Sequence, residues 1–348
     1  IVGVCLFAIA GIRAVWHFYA AYIVARAIAN PTLIGVVPRT AAVNFFHRKR
    51  NLALGLTAMA RPVGGSINIQ LISLLAQGHS WRLAYRALGV FALALAVPLF
   101  VFMRKRPEDI GLRPDGDRVP PPKAEAGRRD APLDPPSTKE PTEAIWTVRE
   151  AFLTSTFRLI LTADALVILT AGALSFQAVL YLKDAGLTQT VAAGALSISS
   201  LLGALANPGV GYLADRFSPR SLAIVGLPVV AAVTSLFLVI DSGRTGFAVF
   251  ITWGAASGGL HILSNMMLAH YFGRASFGSI TGLMGPVQLG FLGLGPSFGA
   301  VLFNLTGGYT VLFSYSIVAY LLATTLIYRT RSPQRPSRVQ RQRATLRR

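Results

Sequence analysis

The chain has 348 residues, of which 53% are hydrophobic and 14% charged, and its mean hydropathy of +0.54 lies outside the range of an ordinary soluble domain. Its 33 Lys and Arg against 14 Asp and Glu leave a net charge of +19. That excess clusters between apolar runs and at the end of the chain, which argues for membrane topology and against a nucleic-acid partner; the single cysteine, Cys5, excludes an intrachain disulfide framework.

A helical span needs about 20 mostly apolar residues at about 1.5 Å each. That criterion predicts an all-α membrane protein with segments at 1–13, 18–43, 52–76, 83–103, 156–182, 188–213, 221–240, 246–270, 277–305 and 309–328. The apolar positions are continuous rather than alternating, which argues against β-barrel strands. Backbone groups in lipid must bond internally, so helices follow.

Two stretches of the chain repeat one another. Asn44-Phe45-Phe46-His47-Arg48-Lys49-Arg50 precedes an apolar run from Gly55 to Gly78, then Trp81 and Tyr85. His270-Tyr271-Phe272-Gly273-Arg274 precedes a run from Gly282 to Gly307-Gly308, then Tyr309 and Phe313. The offset of about 227 residues between Phe46 and Phe272, and between Trp81 and Tyr309, marks a duplicated architecture of two related halves. Subtracting that offset from a second half that starts near 156 puts the start of the first half about 70 residues before Ile1. The expectation is therefore two six-helix bundles with about two helices missing from the first, the segments being helices three to twelve. The divisions are a first-bundle remnant at 1–103, a linker at 104–155, a six-helix bundle at 156–330 and a basic tail at 331–348.

Lys and Arg bias in the short connections sets orientation. Arg48, Lys49, Arg50, Arg104, Lys105, Arg106, Arg216, Arg220, Arg274, Arg329 and Arg331 fall on one side; the alternate connections carry Arg82, Arg86, Lys183 and Arg244. The richer side is assigned to the cytoplasm, with the C-terminus inside. The linker, rich in Pro and charge, reads as solvated, with an amphipathic interfacial helix around Ala144 to Phe152.

A charge at bilayer depth costs at least about 2.5 to 3.5 kcal/mol, so each one should face a cavity or a partner. Arg61 lies nine residues into its span, about 13 Å from the inner end, too deep to snorkel easily. Its planar fork of donors suits a carboxylate or phosphate oxygen pair, or a structural partner on another helix. Asp164 and His261 are the titratable candidates for proton coupling, with capping, pairing or packing as the structural alternatives. Asn68 lies two turns from Arg61 and Asn265 one turn from His261, while Gln177 and Gln288 sit at mid-depth. These four could orient a ligand or join helices. Arg39, near an inner helix end, is expected to snorkel, and Arg26 to be structural.

Gly211-Tyr212-Leu213-Ala214-Asp215-Arg216-Phe217-Ser218-Pro219-Arg220 resembles the loop motif of the major facilitator superfamily, with Ser218 and Pro219 at its Gly and first Arg positions. Arg26-Ala27-Ile28-Ala29-Asn30 resembles that family's Arg-x-x-x-Gly motif, with Asn30 at the Gly. Arg48 to Gly55, Gly78-His79-Ser80-Trp81-Arg82-Leu83-Ala84-Tyr85 and Arg106-Pro107-Glu108-Asp109-Ile110-Gly111-Leu112 are similar to its monocarboxylate-like and oxalate/formate-like branch.

The resemblance implies a secondary transporter of the plasma (inner) membrane that rocks two bundles about a central site, with no cofactor and no enzymatic activity. The expected substrate is a small organic anion such as a carboxylate, moved with a proton or in exchange, by a monomer in the lipid bilayer. Its binding residues would be Arg61, Asn68, Gln177, His261, Asn265 and Gln288, its coupling residues Asp164 and His261, and its inner gate Asp215, Arg216 and Arg220. An amphiphile efflux pump of the same fold and a non-transporting receptor are the alternatives.

Overall fold

The computed structural model describes residues 1–78, 81–102, 104, 107, 114–116, 146–240 and 242–333. Among these residues there are helices and turns and no strand. The first group comprises α1 (Val2–Ala10), α2 (Val15–Ala29), α3 (Val36–Phe45), α4 (Arg50–Gly78) and α5 (Trp81–Phe102). The second comprises α6 (Val148–Leu153), α7 (Ser155–Asp184), α8 (Gln189–Arg216), α9 (Pro219–Ser235), α10 (Gly243–Gly258), α11 (Leu263–Thr306) and α12 (Thr310–Tyr328).

Helix starts in the second group follow local side-chain chemistry. Thr154, Thr188, Ser218 and Ser242 each accept a hydrogen bond from a backbone N–H three residues on, at the heads of α7, α8, α9 and α10. Pro219 opens α9, where its missing N–H costs nothing.

Among the described residues, six stretches are long and apolar enough to cross a bilayer: Trp81–Val101, Ser155–Asp184, Gln189–Arg216, Pro219–Leu238, Gly243–Thr306 and Thr310–Tyr328. The chain is an all-α, multi-pass membrane protein. Its outward faces are apolar, with Val97 and Phe100 on α5 exposed at 65% and 87%, which only lipid would cover. Helix α4 is long enough to span but carries Arg61, Asn68 and Gln70, which lower its hydropathy.

Two of the segments expected from the sequence are interrupted. The one at 18–43 is α2, a wide π turn at Asn30–Gly35, and α3. Pro31 lacks a backbone donor, so the regular ladder slips there. The one at 246–270 is α10, a 3-10 turn at Leu260–Ile262, and the first arm of α11.

Helix α11 is 44 residues long but breaks at Gly273, with φ 72° and ψ 169°. Only glycine, which has no Cβ to clash, adopts that backbone at little cost. Ser264 and Gln288 lie on either side of the break and would be about 36 Å apart on a straight helix. Both bond the carboxylate of Asp164, so the two arms fold back alongside each other.

The halves meet along α4 against α8 and along α3 against α11. A Cβ on Gly55 would lie 2.5 Å from the Asn207 carbonyl oxygen, and one on Gly211 would lie 2.5 Å from the Asn51 carbonyl oxygen. Two glycines thus let α4 and α8 cross at backbone contact.

The second end of the linker is less solvated than its composition suggests. Trp146 is 7% exposed, packs its ring edge-on against Phe272, and donates its backbone N–H to Ser276 Oγ at 2.7 Å. Behind it α6 is closed by a capping box of Thr147 and Glu150.

Candidate functional site

Between the halves, polar groups from α3, α4, α7 and α11 converge. Arg39 donates from Nη1 to Asn265 Oδ1 at 3.3 Å, across the interface. It lies within electrostatic range of Asp164 and Arg61, and His261 lies within range of both arginines. Arg61 and His261 are exposed and Arg39 is half-buried, so this convergence borders open space. Asp164, by contrast, is 5% exposed.

Asp164 is held from both sides. Ser264 Oγ donates to its Oδ1 at 2.7 Å and Gln288 Nε2 to its Oδ2 at 2.9 Å. These neutral donors satisfy the carboxylate without cancelling its charge, which leaves its field directed at Arg39. Among the described residues the ionisable groups linked through Arg39 are two guanidinium ions, one carboxylate and one imidazole. With the imidazole neutral, the cluster carries a surplus positive charge.

The expected site residues fall into three sets. Arg61, His261, Asn265, Gln288 and Asp164 come together in this cluster. Gln177 does not: it lies 13 residues beyond Asp164 on α7, about 20 Å away along the axis, and packs against Gly299. Asn68 lies on α4, two turns past Arg61, and its side chain falls outside the described residues. His261 sits in the 3-10 turn between α10 and α11, within bonding reach of the Gly258 backbone, rather than inside a continuous helix.

Arg39 departs from expectation. It does not snorkel, because Asn265 and the field of Asp164 hold its head inside the interface. A cation on one half and polar groups about 226 residues away on the other was the only trace of this pairing in the sequence. Arg26 behaves as a surface group, its guanidinium 5.7 Å from the Tyr22 ring centroid.

Asp215 joins the halves through backbone amides. Its Oδ1 accepts from Asn51 N–H at 3.0 Å and its Oδ2 from Leu52 N–H at 3.1 Å, at the head of α4. Asn51 Nδ2 returns a bond to the Ala214 carbonyl at 2.9 Å. The contact is a carboxylate over the positive end of a helix dipole.

The two arginines of the motif are occupied elsewhere. Arg216 lies 4.6 Å from the Tyr212 ring centroid, and Arg220 donates to the carbonyls of Ile327 and Tyr328 at the end of α12. Arg220 therefore ties α9 to α12 within one half.

The profile of the Major Facilitator Superfamily matches residues 1–288. The chain belongs to the major facilitator superfamily. It is similar to the MFS transporter asaE of Aspergillus flavus, 28% identical over 312 residues that cover 88% of this chain and 62% of that protein. The chain thus spans less than two thirds of the length of that relative. In this superfamily member the Gly211 to Arg220 motif stands at the contact between the halves, with Asp215 on α4.

Proposed function

We propose that the chain acts in secondary active transport, moving a small organic anion such as a carboxylate by alternating exposure of the cluster between its halves. The observation that carries this reading is the surplus positive charge: among the described residues Arg39 stands in electrostatic range of Arg61 and of the single carboxylate of Asp164, which Ser264 and Gln288 already hold. Two cations sharing one carboxylate at membrane depth are costly, and a bound anion offsets that cost. Arg61, exposed and presenting a bidentate fork, is the principal anion ligand, with His261, Asn265 and Gln288 in the same cluster.

Coupling to a proton, or exchange for another anion, runs through Asp164 and His261. Rocking opens the inner side by drawing Asp215 away from the amides of α4. The flanks at Arg48 to Gly55 and Gly78 to Tyr85 favour the monocarboxylate-like and oxalate/formate-like branch. The basic connections favour a plasma (inner) membrane setting with the C-terminus in the cytoplasm. A neutral or cationic amphiphile, the substrate of an efflux pump, would leave the surplus charge uncompensated.

Uptake of a labelled carboxylate into proteoliposomes tests the reading. Arg61→Ala should abolish uptake while leaving membrane insertion intact. Undiminished uptake in that variant removes Arg61 from the site, and no uptake of any carboxylate by the parent chain removes the anion assignment.

A further inference from the structure

Asp115 of the linker presents a carboxylate that no step above uses. Asp115 lies in the turn Pro114–Gly116 beyond α5, with φ 65°, in the left-handed region that non-glycine residues seldom occupy. Its Oδ1 accepts from His47 N–H at 3.0 Å and its Oδ2 from Arg48 N–H at 3.0 Å. Immediately after, Asn51 and Leu52 donate to Asp215 of the other half. Two carboxylates therefore grip four amide groups around the first turn of α4.

The other end of the linker docks on the related turn of the second half. Trp146 N–H donates to Ser276 Oγ, and the Trp146 ring packs against Phe272, the counterpart of Phe46. Both described ends of the linker are thus fastened to the turns that open the two repeated runs.

From this arrangement we propose that Asp115 is a positioning residue for the inner gate: by clamping His47 and Arg48, it orders the head of α4 on which Asp215 must close. The inference rests on the alternating-access reading. The amides that Asp215 uses are the first of α4, where a helix frays unless the preceding turn is fixed. Asp115 fixes that turn in advance, so Asp215 meets donors already in place. Repulsion between the two carboxylates opposes this, but Arg48, Lys49 and Arg50 lie among them in a solvated turn, where like-charge terms are screened.

Asp115→Asn retains a residue that tolerates the left-handed backbone while presenting an amide donor to one of the two N–H groups. Asp115→Gly keeps the turn and deletes the carboxylate altogether. Nitroxide labels at Arg104→Cys and Arg329→Cys, exposed inner-end positions on the two halves, report opening in a Cys5→Ser background by pulsed electron resonance distances in nanodiscs.

Either Asp115 variant should raise the ratio of inner-open to inner-closed molecules by about tenfold, the effect of losing charge-assisted bonds to backbone amides. Asp215→Asn should do likewise. Combining it with Asp115→Asn should add nothing, because Asp115 acts only through Asp215. An unchanged or lowered ratio in the Asp115 variants beside an opened Asp215→Asn overturns the inference while sparing the gate, and additive opening in the double variant also overturns it. If Asp215→Asn itself stays closed, both the gate and this inference fall. If neither Asp115 variant yields a monodisperse folded protein, the clamp serves folding and not gating, which equally overturns the inference.

Discussion

Arg39 and Asn265 join the two halves through a 3.3 Å hydrogen bond between a guanidinium nitrogen and an amide oxygen. Because the acceptor is neutral, the bond holds the cation in place without consuming its charge. That charge stays available to Asp164 or to a solute, and several measurable consequences depend on it.

Arg39→Gln removes one of the two cations and should lower carboxylate uptake at least about tenfold. Arg39→Lys should restore part of it, since an ammonium supplies charge without the planar fork. Initial uptake rates in proteoliposomes check this; equal rates in Arg39→Gln and the parent chain would return Arg39 to a structural role.

Asp164→Ala leaves Ser264 and Gln288 without their shared acceptor and loosens the fold-back of α11. The expected loss of stability is about 1 to 3 kcal/mol, seen as a lower melting temperature in detergent. Asp164→Asn preserves an acceptor and most of that stability, yet should abolish accumulation driven by a proton gradient while sparing exchange of substrate across the membrane. Gradient-driven accumulation that survives in Asp164→Asn excludes this carboxylate from coupling.

Gly55 and Gly211 set the distance between α4 and α8. An added methyl at either position would meet backbone at 2.5 Å, which rigid helices relieve only by moving apart. Gly55→Ala or Gly211→Ala should therefore destabilise the inner-closed state by about 1 to 3 kcal/mol. Faster reaction of an inner-end cysteine with an impermeant maleimide is the expected signature.

Tyr309 donates to Asp184 Oδ2 at 2.6 Å, tying the head of α12 to the end of α7. Burial first, and then the hydrogen bond and charge of Asp184, push its phenol above its ordinary pKa of 10.0. Folding thus favours the neutral phenol. This contribution is complete below the ordinary pKa and is lost as pH rises through the folded value. Tyr309→Phe should melt lower at neutral pH by about 1 kcal/mol in stability, and the difference from the parent should shrink in strong alkali.

The sequence by itself determined where the chain can cross lipid, where it turns, and that two runs repeat, because continuous apolarity and basic turns act over neighbouring residues. It also singled out Arg61, Asp164, His261 and Asp215 as polar groups that must find partners. The identity of those partners was decided only in three dimensions. Gly55 and Gly211 let two helices cross at backbone contact, and that crossing presents the amides of Asn51 and Leu52 to Asp215. The break at Gly273 folds α11 back so that Ser264 and Gln288 reach one carboxylate. Arg39 is retained inside because Asn265 of the opposite half lies within reach. Such pairings depend on crossing positions and directions of side chains distant in the chain, which local composition does not encode.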